Sequence, residues 1–312
     1  MSETTDSPLD RMGDRFIRAG RLTAAQVEQV LRLQDAEHLR FGEAAVRLGF
    51  LTEQDVLAVL SEQFNYATAI NATPLLSLHL SIAHRPSSDE AEAIRKARTN
   101  ILALMANRDT LSIAIVSPRH GEGKTYLAAS LAIAFSQAGQ RTLLVNADLR
   151  NAAHDHLYGL APPAQERTGA AGLSSILAGR ASPESFHCPA GFPFLSVLDC
   201  GPLPPNPQEL LNEPRLGNLL RQLHDTYEII VIDTPPAGSS SDAQIIVRQS
   251  DACILVGRKD WSRLHELTHL RDSLQHTGAL IGGVVYNTFP VPAAPGGLLS
   301  RLRRRLRSIR QP

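Results

Sequence analysis

A glycine-rich turn between a strand and a helix constrains this chain more than any other feature. The turn is Ser117-Pro-Arg-His-Gly-Glu-Gly-Lys-Thr125. The apolar run Leu111–Val116 predicts a buried strand before it, and Tyr126–Gln137 predicts a helix after it. Backbone N–H groups of such a turn and the helix N-terminus bind phosphate. We therefore predict a phosphate-binding loop, although Pro118 stands where the usual pattern has its first glycine.

Two further apolar runs end in acidic residues. Arg141–Val145 leads into Asn146-Ala-Asp-Leu-Arg150, and Tyr227–Ile232 ends in Asp233. An acid directly after a buried strand is the Walker B pattern, which holds Mg²⁺ or its water ligands. In the loop, Lys124 is expected to reach the β- and γ-phosphates of a nucleotide. The predicted metal ligands are Thr125, Asp148 and Asp233, and the predicted catalytic residues are Lys124, Asn146, Asp148 and Asp233.

Strands alternate with helices through this part of the chain. Ala252–Val256 and Leu280–Tyr286 predict further strands, with a helix over Trp261–His276 between them. The alternation predicts an α/β fold with a doubly wound parallel sheet, which binds ligands at the carboxyl ends of its strands. The predicted nucleotide contacts at that edge are Gly121, Glu122, Gly123, Lys124, Thr125, Tyr126, Arg150 and Asn287.

The N-terminal region contains a repeat that predicts a small, mainly helical domain. Residues 11–34 and 40–63 share ten identities at an offset of 29 residues. Each unit predicts two short helices, the first ended by Gly20 or Gly49 and the second opened by Thr23 or Thr52. A helical hairpin that packs on its duplicate explains the apolar and glycine positions. It explains the repeated Arg and Gln positions less well.

This repeat resembles the cyclic-di-GMP-binding N-terminal domain of pilus and type II secretion ATPases. In that family Arg and Gln contact the dinucleotide and apolar residues line it, which suits guanidinium and amide hydrogen bonding. The resemblance implies cyclic-di-GMP as an effector, and a domain that keeps the fold without the ligand stays an open alternative. The matching positions are Arg11, Met12, Val27, Leu31, Gln34, Arg40, Phe41, Val56, Leu60 and Gln63.

The P-loop region resembles the bacterial (BY-type) tyrosine kinases of capsule and exopolysaccharide synthesis, relatives of the partition ATPases. Gly121–Thr125 matches their first motif, Asn146–Arg150 resembles their DxDxR motif, and Pro204–Leu211 resembles a stretch typical of them. Together with the repeat, the whole chain resembles the EpsG-type chain-length-determinant kinases. The ExxRxxR segment through which such kinase domains form rings is matched by Glu92, Arg95 and Arg98.

The resemblance implies a Mg-ATP-dependent protein-tyrosine (auto)kinase that regulates exopolysaccharide polymerisation, export and chain length. It implies ATP and Mg²⁺ as cofactors, a homo-oligomeric ring, and a membrane chain-length-determinant (polysaccharide co-polymerase) protein as partner. For Asn287 two interpretations stay open, an adenine contact as in the partition-ATPase relatives and an ordinary strand-end cap.

Two departures from the family favour an alternative function. Asn146 replaces the first Asp of DxDxR, and a neutral amide cannot accept a proton. The five tyrosines include none after Tyr286, so autophosphorylation of a tyrosine-bearing tail is not expected. The alternative is a catalytically weak ATP-binding regulatory module that controls assembly with the membrane protein. A secretion ATPase is disfavoured because the acidic strand end at 146–150 does not fit one.

Charge distribution sets the C-terminal segment apart. The formal net charge is zero, which argues against a uniformly basic protein that binds nucleic-acid polymers. Six arginines nevertheless fall within residues 301–312, among Leu and Ile at helical spacing. This basic amphipathic tail predicts either a solvated segment or one that binds an anionic membrane surface.

The predicted organisation has four parts. They are a helical repeat domain over 1–66, a linker over 67–88, the P-loop domain over 89–290, and a Pro/Gly linker with the basic tail over 291–312. The acidic N-terminus does not resemble a signal peptide, and no apolar run approaches the roughly 18 residues that span a bilayer. Three cysteines without CxxC spacing fit a reducing compartment. We therefore expect a cytoplasmic protein, peripheral at the inner face of the membrane.

Overall fold

The computed structural model describes residues 12–52, 55–56, 59, 76–105, 108–151, 157–160, 172–183, 186–212 and 214–289. Its N-terminal part contains helices α1 (Met12–Arg18), α2 (Ala24–Glu37) and α3 (Phe41–Arg47). The predicted capping box at Thr23 is confirmed: its hydroxyl accepts from the Gln26 N–H at 3.3 Å, and its own N–H donates to Gln26 Oε1 at 2.9 Å. No described helix is long and apolar enough to cross a bilayer.

The repeat is visible in the packing of the helical units. A Cβ atom added to Gly13 would lie 2.7 Å from Cγ1 of Val27, and one added to Gly42 would lie 2.6 Å from Cγ1 of Val56. In each unit the first helix therefore packs closely against the beginning of the second helix, and a glycine on the first helix makes room for this contact. Both units contribute to one small core, in which Phe16 is fully buried.

The remaining described residues form an α/β domain. Its strands are β1 (Leu111–Val116), β2 (Thr142–Asn146), β3 (Leu195–Leu198), β4 (Ile229–Asp233), β5 (Ala252–Arg258) and β6 (Ile281–Asn287). Its helices are α4 (Ser81–His84), α5 (Asp89–Leu102), α6 (Lys124–Gln137), α7 (Leu173–Leu177), α8 (Pro207–Leu211), α9 (Arg215–Leu223), α10 (Asp242–Gln249) and α11 (Leu264–His276).

The six described strands form one parallel sheet in the order β3-β2-β4-β1-β5-β6. Strands β1, β2 and β4 are buried along their whole length, as expected where helices cover both faces. Side chains from α4, α5 and α6 form the core on one face, and side chains from α7 to α11 form the core on the other. The predicted doubly wound fold is confirmed.

The described part of the predicted linker differs from the expectation. Leu80, Ile82 and Ala83 are fully buried, and they pack in the core on the face of α6. The carbonyl of Ile82 also accepts a hydrogen bond from Gln137 at the end of α6, at 3.3 Å. The short helix α4 escapes a periodicity search because four residues make only about one turn. The α/β packing therefore begins ahead of Asp89.

Candidate functional site

The phosphate-binding loop joins the end of β1 to the start of α6. Gly123 is the N-cap of α6 and has φ of +102°, a left-handed conformation that glycine adopts without strain. A Cβ atom at Gly123 would also lie 2.3 Å from Nδ2 of Asn287. Lys124 Nζ donates to Ser117 Oγ at 3.1 Å and to the Arg119 carbonyl at 3.2 Å. The loop therefore surrounds the ammonium group of Lys124, which lies at the N-terminus of α6.

The sheet brings the predicted acidic residues to this loop. Asn146 and Asp233 are paired at the carboxyl ends of the adjacent strands β2 and β4, and both are buried. Asp148 follows two residues after Asn146 and is 4% exposed. Because β1, which carries the loop, pairs with β4, the Walker B strand lies beside the loop. Residues predicted from three separate motifs therefore share one edge of the sheet.

Burial shifts the pKa values of Asp233 and Lys124, which carry opposite charges at this site. It raises the pKa of Asp233 to about 7, against the opposing effects of a hydrogen bond with Thr125 and the charge of Lys124. Burial also lowers the pKa of Lys124, although neighbouring carboxylates, Asp233 first, oppose that shift. Oδ1 of Asp233 is buried and forms no hydrogen bond with any described residue. A bound cation would coordinate this oxygen.

These residues fit a Mg²⁺–nucleotide complex. A Thr hydroxyl and carboxylates are hard oxygen ligands, and Mg²⁺ takes its other ligands from phosphate and water. Thr125, Asp148 and Asp233 would hold the ion, as predicted from the sequence. The described residues contain no cluster of three or more His, Cys, Asp or Glu that could enclose a metal by itself.

Glu122 has a structural role in the loop. Its side chain is fully buried, Oε2 accepts from the Arg119 N–H at 2.6 Å, and Oε1 accepts from the Ser262 hydroxyl. Its carbonyl accepts from Nδ2 of Asn287 at 3.0 Å. Asn287 Oδ1 also accepts from the Phe289 N–H at 3.0 Å, which is the strand-end cap that one interpretation predicted. The bond to the loop is an additional contact that neither interpretation included.

Arg258, at the end of β5, and Trp261, in the turn that follows, donate hydrogen bonds to the same loop. Arg258 Nη1 donates to the carbonyl of Gly121 at 2.6 Å, and Trp261 Nε1 donates to the carbonyl of His120 at 3.1 Å. Trp261 is 43% exposed beside the nucleotide site. The sequence carries no signal for these contacts because they join segments about 140 residues apart.

Arg150 is held by an acid that the sequence analysis did not select. Its Nε and Nη2 donate to the two carboxylate oxygens of Asp242 at 2.5 and 3.0 Å. Asp242, at the start of α10, is fully buried, and the side chain of Arg150 is 40% exposed. The hydrogen bond to Asp242 raises the pKa of Arg150. This bidentate pair fixes the segment after β2 against α10.

Both the nitrogen and the oxygen of the Asn146 side-chain amide form hydrogen bonds. Nδ2 donates to Oδ1 of Asp199 at 3.2 Å, and Oδ1 accepts from the Asp148 N–H at 3.2 Å. Asp199 follows β3, a strand that the sequence analysis missed. The signal was present: the run Leu195–Leu198 ends in an acid, as the run before Asp233 does.

Tyr126 lies in an aromatic cluster at the start of α6. Its ring meets those of Phe289 and Tyr158 edge-on, with centroids 5.0 and 5.9 Å apart. Burial raises the pKa of Tyr126. Tyr158 is also partly buried, Tyr227 is 7% exposed, and Tyr286 on the edge strand β6 is 63% exposed. Tyr286 is therefore the most accessible of these four tyrosines.

The predicted cyclic-di-GMP residues are described in part. Leu31 is 41% exposed, Val27 and Gln34 are partly buried on the same helix, and Arg40 is exposed. Phe41 is 9% exposed and stacks on Phe16, so it has a core role that the prediction did not include. Met12 and Val56 pack partly buried against this core. Arg11, Leu60 and Gln63 lie outside the described residues.

The predicted ring residues on α5 make contacts within the chain. Arg95 pairs with Glu92 at 2.9 Å and donates to the carbonyl of Pro86 at 2.7 Å. Arg98 Nη1 donates to the carbonyl of Ala134 on α6 at 2.8 Å. The Arg98 bond holds α5 against α6, the helix that follows the phosphate loop. Their role in assembly stays a prediction.

Comparison with known proteins agrees with this geometry. A family model described as the CobQ/CobB/MinD/ParA nucleotide binding domain matches residues 113–311. The tyrosine-protein kinase YwqD of Bacillus subtilis is 33% identical over 202 residues, which cover 65% of this chain and 82% of that protein. The tyrosine-protein kinase CpsD of Streptococcus agalactiae is 31% identical over 204 residues, covering 65% and 84%.

A solved structure shares the fold. The kinase domain of the Escherichia coli tyrosine kinase ETK is 27% identical, with a TM-score of 0.62 over 72% of this chain and 85% of that one. The residues that the family model matches include the phosphate loop, Asp148 and Asp233. The chain therefore belongs to the CobQ/CobB/MinD/ParA nucleotide-binding family and, within it, to the bacterial tyrosine-protein kinases.

Proposed function

We propose that this chain phosphorylates tyrosine on itself or on a partner and thereby regulates the polymerisation, export and chain length of an exopolysaccharide. The observation that carries the proposal is the site at the sheet edge. There Lys124 and Thr125 lie beside the buried Asp233, and within the described part of the chain Oδ1 of Asp233 has no hydrogen-bond partner. Bound Mg²⁺ supplies charge neutralisation to the phosphates. Lys124 orients the phosphates, while Asp148 and Asp233 hold the cation in place.

The test is incubation of the full chain with ATP and Mg²⁺, followed by mass spectrometry for phosphotyrosine. Reactions run with and without the cytosolic segment of the membrane chain-length protein. We expect phosphate on tyrosine, with Tyr286 modified in preference to the buried Tyr227 because its side chain is 63% exposed. Lys124→Met should abolish the signal because it removes the phosphate-binding charge.

The matched control is Lys259→Met, which removes an exposed lysine in the turn after β5. It should phosphorylate at the rate of the unmodified chain. If the unmodified chain produces neither phosphotyrosine nor ADP under any of these conditions, the kinase proposal fails.

A second candidate is the regulatory module with weak or no chemistry. The specific observation that favours it is the bonding of Asn146, whose amide is engaged by Asp199 and by the Asp148 N–H. A neutral amide held in this way cannot accept the proton of an attacking hydroxyl. Under this alternative Mg-ATP binds and alters assembly with the membrane protein, and no phosphotyrosine forms.

The N-terminal unit is proposed to bind cyclic-di-GMP. The exposed Leu31 and the partly buried Gln34 on α2 support this, together with the exposed Arg40 that precedes α3. Calorimetry on the full chain should show binding that Arg40→Ala removes. Arg32→Ala is the control, because Arg32 is exposed, pairs with Glu28 and does not occupy a repeated position. An absence of heat with the unmodified chain would contradict the proposal.

The proposed setting is the inner face of the cell membrane, in a ring beside the chain-length protein. The support is the ExxRxxR match on α5 and the basic composition of the tail, which lies outside the described residues. Deletion of residues 298–312 should release the chain from anionic vesicles without changing ATP affinity. Equal vesicle binding by both forms would remove the membrane part of the proposal.

A further inference from the structure

We propose that Asp199, at the end of β3, is a positioning residue of the nucleotide site that supplies the negative charge Asn146 lacks. This inference deepens the proposed function and rests on its Mg-ATP site. The row of polar side chains across three strands carries it, together with the two hydrogen bonds that fix Asn146.

Strand register places Asp199 in line with the established site. Val145 of β2 pairs with Leu198 of β3, and Asn146 pairs with Asp233 of β4. Paired positions on neighbouring strands carry their side chains to the same face of a sheet. Asp199, Asn146 and Asp233 therefore stand side by side where β3, β2 and β4 end. The acid on β3 is one strand further from the phosphate loop than a carboxylate at position 146 would be.

The contacts of Asn146 determine which way its amide points. A carboxylate only accepts hydrogen bonds, so the Asn146 NH₂ group must face Asp199, where Nδ2 and Oδ1 are 3.2 Å apart. The carbonyl oxygen then faces the Asp148 N–H, also at 3.2 Å. Asp199 is itself held, because the same Oδ1 accepts from the Cys200 N–H at 2.7 Å. The acid thus orients Asn146, and through it the start of the segment that carries Asp148.

The charge of Asp199 also acts on the cation site directly. Strands lie about 4.8 Å apart, which puts the end of β3 about 10 Å from the end of β4. At that separation, with screening close to that of bulk water, one carboxylate should change the affinity for a divalent cation by about fivefold. Asp199 therefore provides a third acidic residue at this edge of the sheet, besides Asp148 and Asp233, although position 146 is neutral.

This arrangement predicts a specific response to exchanging the two side chains. Asn146→Asp alone would set two carboxylates within hydrogen-bond distance of each other, an arrangement that repels. The double variant Asn146→Asp with Asp199→Asn restores one amide and one carboxylate in the same space. The hydrogen bond between them then runs in the opposite direction.

The experiment titrates Mg²⁺ into the full chain in the presence of a ribose-labelled fluorescent ADP and measures the concentration that gives half-maximal binding. Thermal unfolding without nucleotide is measured alongside. The variants are Asp199→Asn, Asn146→Asp and the double exchange. Asp225→Asn is the charge control, since Asp225 is exposed ahead of β4, at the opposite edge of the sheet.

Asp199→Asn should raise the half-saturating Mg²⁺ concentration about fivefold. Asn146→Asp should not lower it, and the double exchange should return it to within about twofold of the unmodified chain. The Asp225→Asn control should leave it unchanged. A purely structural role would lower the unfolding temperature of Asp199→Asn without moving the Mg²⁺ requirement, and that result would overturn the proposal.

Three other results distinguish a failure of this inference from a failure of the proposed function. Tighter Mg²⁺ binding by Asn146→Asp alone would show that Asp199 does not already supply the charge, and would also overturn the proposal. If the unmodified chain binds no labelled ADP at any Mg²⁺ concentration, the proposed function fails together with this inference. If the unmodified chain binds labelled ADP and Asp199→Asn does not change the half-saturating Mg²⁺ concentration, this inference alone fails.

Discussion

Single residues in this protein derive their roles from partners that are far away in the chain. Asp242 opens α10 after a run of serines, where it resembles an ordinary acid in the first turn of a helix. In the fold it is fully buried and bonded by Arg150, which lies 92 residues earlier. A buried carboxylate needs such a partner, because an unpaired charge in the interior is strongly unfavourable.

The Arg150–Asp242 pair leads to an asymmetric prediction. Arg150→Ala leaves a buried carboxylate unpaired and should lower the free energy of unfolding by about 3–5 kcal/mol. Asp242→Asn leaves the half-exposed Arg150 to bind water, so it should lower the free energy of unfolding by clearly less. Urea unfolding followed by circular dichroism measures both. Equal losses would contradict the burial argument.

At the scale of elements, Asp251 fixes the beginning of two strands. It accepts from the Ser112 N–H at 2.8 Å, from the Ser112 hydroxyl at 2.6 Å and from Arg108 at 2.8 Å, and His224 lies 3.6 Å away. Burial alone would raise the pKa of Asp251. The hydrogen bonds from His224 and Ser112 outweigh burial, and the pKa lies well below its usual range. The carboxylate therefore ties the loop before β5 to β1.

This pKa shift predicts acid sensitivity. Because the folded-state pKa is depressed, the stabilisation is fully present above the unfolded value of about 3.9 and is lost as pH falls towards the folded value. Urea unfolding at several pH values between 6 and 2.5 should show a steeper loss of stability for the unmodified chain than for Asp251→Asn. Parallel curves for the two proteins would contradict this assignment.

The helical repeat offers a second prediction at this scale. Gly13→Ala should loosen the N-terminal unit because its methyl group would lie 2.7 Å from Cγ1 of Val27. Overpacking of this kind costs about 1–3 kcal/mol. Hydrogen exchange of peptides from residues 12–52, measured in the full chain, should increase. Adding Val27→Ala makes room for the methyl group, so the double variant should exchange more slowly than Gly13→Ala alone.

At the scale of the whole molecule, the α/β domain includes residues ahead of Asp89. Leu80 is fully buried in the core that α6 shares, whereas Leu78 two residues earlier is 76% exposed. Leu80→Ala should lower the free energy of unfolding by about 2–5 kcal/mol, and Leu78→Ala by less than about 0.5 kcal/mol. Urea unfolding of the two variants provides the comparison. Similar small losses would show that residues 76–84 contribute little to the domain.

The sequence alone was sufficient to predict the phosphate loop, five of the six described strands, Asp148 just after β2 and Asp233 at the end of β4. Each of these features is local: a contiguous apolar run builds a buried strand, and the residue that follows it lies at the carboxyl edge. Strand β3 was missed because a run of only four residues, one of them Ser196, gives a weak apolar pattern. Helix α4 was missed for the same reason of length.

The tertiary structure decided which side chains meet at that edge. Asn146 contacts Asp199, 53 residues away, only because β3 packs beside β2 in a sheet whose order is β3-β2-β4-β1-β5-β6. Crossover connections set that order, and no local pattern of residues encodes it. The sequence by itself therefore determined that this protein has a nucleotide-binding edge and which motifs supply it. The pairing of strands determined that the neutral Asn146 has a carboxylate beside it.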